Sequence, residues 1–82
     1  LQRAEAALAS ARAQAAQSRA NLIQAQRNFE RSEQIKKTQP ALVSEEQLEQ
    51  LRTQMDVNKA LNEAANYSVE QAVASVRDAR QA

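Results

Sequence analysis

The sequence predicts an all-α protein, an antiparallel two-helix coiled-coil hairpin occupying 1–82. Three observations predict it. The 82 residues include no glycine and a single proline, Pro40, set almost at the centre. Ala, Gln, Glu, Arg and Leu dominate, and these are strong helix formers. Apolar residues recur every seven positions on both sides of Pro40, the signature of a coiled-coil seam.

Helix one is expected over about 1–38. Leu1, Leu8, Ala15, Leu22 and Phe29 share heptad row a, and Ala4, Ala11, Ser18, Ala25 and Ser32 share row d. Large a residues fill the gaps that small d residues open across the seam. Pro40 drives Gln39 out of the helical region, so helix one stops near Thr38. Lys36 and Lys37 fall in its last turn, where positive charge suits the helix dipole. That dipole role is the expected one for both.

The tip is expected over about 39–44. Ser44-Glu45-Glu46-Gln47 reads as a capping box, with Val43 and Leu48 placed as a hydrophobic staple. Glu45, Glu46 and Glu49 put negative charge at the dipole's positive end, so Ser44 is explained as an N-cap. Helix two then runs over about 45–82. Its row a is Leu48, Met55, Asn62, Val69 and Val76, and its row d is Leu51, Asn58, Ala65, Ala72 and Ala79. A short connection is typical of antiparallel helix pairs. Each arm is about 55 Å long at 1.5 Å per residue.

Two registers fit this seam equally. One sets Leu8 against Ala72 and Leu22 against Asn58. The other sets Leu8 against Ala79 and Leu22 against Ala65. Asn58 and Asn62 either specify the register, as buried polar seam residues do, or loosen the middle of the hairpin.

A hairpin needs one apolar stripe per helix, and each helix here carries two. Ala6, Ala9, Ala13, Ala16, Ala20 and Ile23 form the outer stripe of helix one, in rows f and b. Val57, Ala60, Ala64, Tyr67 and Ala74 form that of helix two, broken by Gln71. Helix propensity alone accounts for exposed alanines. It does not account for Ile23, Val57 and Tyr67, so Ile23, Val57, Ala60, Ala64 and Tyr67 are expected in lateral packing between copies.

Charge agrees with pairing of unlike halves. Leu1 to Thr38 carries seven basic and three acidic residues, a net of +4. Ser44 to Ala82 carries four basic and seven acidic residues, a net of −3. The overall +1 is no nucleic-acid footprint, and basic residues are not interleaved with aromatics. With neither Cys nor His, the usual nucleophile, general base and metal ligands are missing. Without glycine there is no phosphate-cradling loop. No catalytic residue, metal site or cofactor is expected, and the chain does not read as an enzyme. Both ends fall in mid-heptad, as in a fragment of a longer protein.

At the tip, Arg31, Ile35, Ser44 and Leu48-Glu49, flanked by Ala/Gln/Leu heptads, resemble the α-helical hairpin of periplasmic adaptor proteins. These are the HlyD-type membrane fusion proteins of tripartite efflux pumps and type I secretion systems. Arg31 and Ile35 keep the family's spacing, with Ile for Leu. Ser44 follows two residues later than in the family's tip, and Leu48-Glu49 stands where Leu-Asp is common. The resemblance implies that six hairpins pack side by side into a tube whose tips dock on a TolC-type outer-membrane channel. It implies an inner-membrane transporter as a second partner, met by domains outside this chain. It also implies a periplasmic location and anchorage to the inner membrane through other segments. Arg31 would then donate to the channel's tip carbonyls or carboxylates, Ile35 and Leu48 would supply apolar contact, and Ser44 a hydrogen bond.

Two other readings use the same residues. A structural coiled-coil spacer or oligomerisation arm explains the a/d seam and the tip, but does not require the outer stripes. An amphipathic pair lying on a membrane needs a broad, bulky apolar face above a basic border, whereas these seams are narrow and rich in alanine.

Overall fold

The structure, a computed structural model, describes residues 1–81. Helix α1 spans Gln2–Thr38, a single 3-10 turn spans Pro40–Leu42, and helix α2 spans Glu45–Gln81. The two helices pack antiparallel along their length, and no strand occurs among the described residues. The rod measures 63 × 13 × 13 Å. This is the expected all-α hairpin, with both helix boundaries where proline and capping box place them.

The local chemistry of each boundary is explicit. Gln39 leaves the helix at φ −138° and ψ 75°. Its N–H still reaches back to the Ile35 carbonyl at 2.6 Å, and the Thr38 hydroxyl donates to the Gln34 carbonyl at 3.1 Å. These bonds satisfy carbonyls that a helix end leaves open. Pro40 opens the 3-10 turn, where a missing N–H costs nothing. The turn closes by a 3.0 Å bond from the Leu42 N–H to the Gln39 carbonyl. At the start of α2, the Gln47 N–H donates to Ser44 Oγ at 3.0 Å and the Ser44 N–H donates to Gln47 Oε1 at 2.9 Å. This reciprocal pair is the capping box.

The burial pattern follows the heptads. Apart from Leu1, every row a and row d residue named above is half-buried or buried. Ala25, Phe29 and Val76 are buried in the seam, as is Val43 beneath the tip. Two helices cover only one side of each other, and alanine offers little area. Most of the seam therefore stays half-exposed.

The register is the one that sets Leu8 against Ala72. There Phe29 lies opposite Leu51 and beside Arg52, and the Arg52 guanidinium stands 5.3 Å from the Phe29 ring centroid. In the other register Phe29 would face Asn58, about 10.5 Å further along α2 than Leu51 at 1.5 Å per residue. The seam asparagines do not make this choice. The Asn58 amide donates to the Gln54 carbonyl of its own helix at 2.8 Å, and Asn62 Nδ2 is buried with no partner among the described residues.

Candidate functional site

Two surfaces concern function: the tip and the sides of the rod. The tip is braced from below by Lys36. Its Nζ donates to the Val43 carbonyl at 3.0 Å and pairs with Glu45 Oε1 at 3.3 Å. This corrects the expected role of Lys36 as a dipole partner only. A lysine in the last turn of α1 reaches across the connection and ties it to the first turn of α2. Lys37 remains exposed. Val43 packs under the turn at 8% exposure, and the turn holds Leu42 out at 65% exposure.

Leu42 is the tip feature that sequence reasoning missed. The signal was present, since Leu42 is a large apolar residue that neither heptad claims, lodged between a proline and an N-cap. Pro40 and Ala41 beside it are also exposed. The apex is thus an apolar cap on a hydrogen-bonded turn.

The sequence-predicted tip residues occupy different environments. Arg31 is exposed on α1 and has no ion pair, and no bond to Ser32 or Gln34, among the described residues. Ile35 is half-buried. Ser44 is exposed, but its hydroxyl oxygen already accepts the Gln47 N–H. Its hydrogen is still available to donate. Leu48 is half-buried in the seam, and Val43, its expected staple partner, is buried. No hydrogen bond or ion pair joins these four residues.

On the sides, Val57 and Tyr67 stand 52% and 61% exposed, and Ala60 and Ala64 lie open between them. Leu61, 56% exposed, widens this patch and belonged to no predicted stripe. Ile23 on α1 is half-buried, and Ala6, Ala9, Ala13, Ala16 and Ala20 are exposed. Among the described residues both stripes are mostly exposed, with Ile23 and Ala74 half-buried.

Among the described residues, no group of three His, Cys, Asp or Glu side chains is placed to hold a metal ion. No described helix is long and apolar enough to cross a membrane. Set against protein-family models, characterised proteins and solved structures, the chain matches none.

Proposed function

We propose that this hairpin is a stave and docking arm of a periplasmic adaptor of the HlyD type. In this reading it packs side by side with copies of itself into a tube and meets a TolC-type outer-membrane channel with its tip. Domains outside this chain reach an inner-membrane transporter. The observation that carries the reading is the braced tip: a long rod ends in a turn held by Pro40, the capping box and Lys36, with Leu42 turned outward. Pro40, Ala41 and Leu42 are exposed together there, a small contiguous apolar cap that a partner's tip would cover. The uncovered Val57, Leu61 and Tyr67 supply the side contact that a tube requires.

The capping role of Ser44 and the seam position of Leu48 favour a second reading, a structural spacer, because both residues are accounted for inside the hairpin. Photo-crosslinking in the host separates the two. A photoreactive residue replaces Ile35 or Ser44 in the full-length protein, with Tyr67 as the side probe. Tip adducts with an outer-membrane channel, together with homotypic adducts at Tyr67, support docking. Tip adducts with copies of the same chain alone, in an assembled and active protein, leave the spacer.

A further inference from the structure

In an antiparallel pair, rows b and e of the two helices lie on the same broad face of the rod. That charged face carries most of the ionisable side chains of this chain. Among the described residues the one ion pair is Lys36 with Glu45, so the other charges there are unpaired within the hairpin. Arg12 shows why. It lines a groove with Leu8, Val73, Val76 and Arg77, and no carboxylate lines that groove.

The seam register fixes which residues of the two helices stand level. With Phe29 opposite Leu51, the outermost rows match: Ala6 is level with Ala74, Ala13 with Tyr67, and Ala20 with Ala60. Within one hairpin these residues lie on opposite outer edges of the rod. They can meet only between copies. The charges beside them match as well. At 1.5 Å per residue, Glu5 stands within about 3 Å of the level of Arg77, Arg12 of Glu70 and Arg19 of Glu63. Arg27 stands within about 5 Å of the level of Asp56, and on the other flank Arg3 within about 2 Å of Asp78. The like-charged exception in these rows is Glu33 with Glu49, near the tip.

We propose that copies associate edge to edge, α1 of one against α2 of the next and level with it, and that these charge pairs set the alignment. This rests on the side-by-side packing above and names its contact. Ala9 and Ala16 of row b are small, so the long side chains of Arg12 and Arg19 can cross them to the carboxylates of Glu70 and Glu63 on the neighbouring copy. A slip of one heptad one way sets Glu5 against Glu70, and the other way it sets Arg12 against Arg77. The two halves carry nets of +4 and −3, which favours α1 beside α2 over either helix beside its own copy. Exposed ion pairs add little affinity, so the charges select the alignment while Tyr67 and the alanines supply the burial. Because the two edges differ, the contact repeats from copy to copy instead of closing as a pair.

The test uses the full-length protein in its host. Ala13→Cys and Tyr67→Cys are introduced together and treated with a short bismaleimide, with each single cysteine as a control. The expected result is a series of dimers, trimers and larger species from the double variant, and none from either single one. In the double-cysteine chain, Arg12→Glu with Arg19→Glu, or Glu63→Arg with Glu70→Arg, is expected to remove the species above dimer. Co-expression of these two reversed chains is expected to bring them back, because each then meets the opposite charge on its neighbour. Dimers from Tyr67→Cys alone mean that α2 meets α2, which overturns the proposal. A series indifferent to the reversals, or lost and not restored by co-expression, overturns the charge alignment and leaves the side-by-side packing standing. No cross-linked species from a stably expressed protein overturns the packing, and the proposal with it.

Discussion

The tip-proximal end of the seam and its middle are built from the same heptads but by different means. Near the tip, Phe29 and Ala25 are buried, Arg52 covers the Phe29 ring, Val43 closes the end, and Lys36 ties the two helices together. In the middle, Ser18 and Asn62 face each other in the observed register, Asn58 bonds within its own helix, and the Asn62 amide has no partner among the described residues. The difference teaches that one heptad pattern packs unevenly: contacts across the seam gather near the tip, and the middle leaves an amide without a partner among the described residues. A two-helix rod with seven alanines, two serines and two asparagines among its twenty seam residues has little packing energy per turn, so its few large buried side chains matter most.

The largest effect is expected from breaking the strong end. Phe29 is the one aromatic in the seam and is 9% exposed. Phe29→Ala removes its burial and the seat of Arg52 together. We expect a loss of about 3 kcal/mol, at the low end for a buried Phe because the rod is thin and can relax. The loss is read from the denaturant midpoint followed by far-ultraviolet circular dichroism. A midpoint unchanged by this substitution means the tip end is not where stability resides.

Repairing the weak middle comes next in size. Asn62→Leu removes a buried amide without a partner and places a large a-row residue over the small Ser18. A buried unsatisfied donor costs about 1–3 kcal/mol, and the leucine adds burial. A gain of about 2 kcal/mol is expected, seen as a higher denaturant midpoint. If Asn62→Leu is neutral or destabilising, the asparagine is satisfied in solution and the middle is not the weak region.

This contrast bears on what the sequence made legible. Both helices, their ends, the a/d rows and the capping box could be read from residue types, because each is a local rule of spacing or backbone preference. The register was left open from the heptads, since a slip of seven residues keeps every a opposite a d. The choice shows only in the folded chain, where the Arg52 guanidinium stands over the Phe29 ring. The Lys36 brace was not legible, because it depends on a side chain reaching across a turn whose path only the folded tip defines. The outward aim of Leu42 has the same origin. The order of charges along each helix was legible, but which of them stand level follows only once the register is set.

The brace itself can be tested by separating its two parts. Lys36→Met keeps the aliphatic stem and removes the ammonium, leaving the Val43 carbonyl without its donor. A loss of about 1.5 kcal/mol is expected, since a hydrogen bond from a charged donor at a part-buried site is at stake. Glu45→Gln removes only the ion pair. Its side chain is 85% exposed, so less than about 0.5 kcal/mol is expected. Equal losses from the two substitutions would show the ion pair, rather than the bond to the turn, to be the brace.

The smallest expected effect on stability is at Tyr67, which makes the comparison with the seam sharpest. Tyr67→Ser trims a residue 61% exposed on the outer surface of α2. Within a single hairpin it should change stability by less than about 0.5 kcal/mol, as surface substitutions do. Its consequence belongs instead to contact between chains. Sedimentation velocity across a range of concentrations reads that directly, with Val73→Ser, on the charged face, as the comparison. Weaker association for Tyr67→Ser and unchanged association for Val73→Ser place the second interface on the Val57–Tyr67 side. A change confined to Val73→Ser assigns it to the charged face and removes the ground for treating the outer stripe of α2 as a lateral seam.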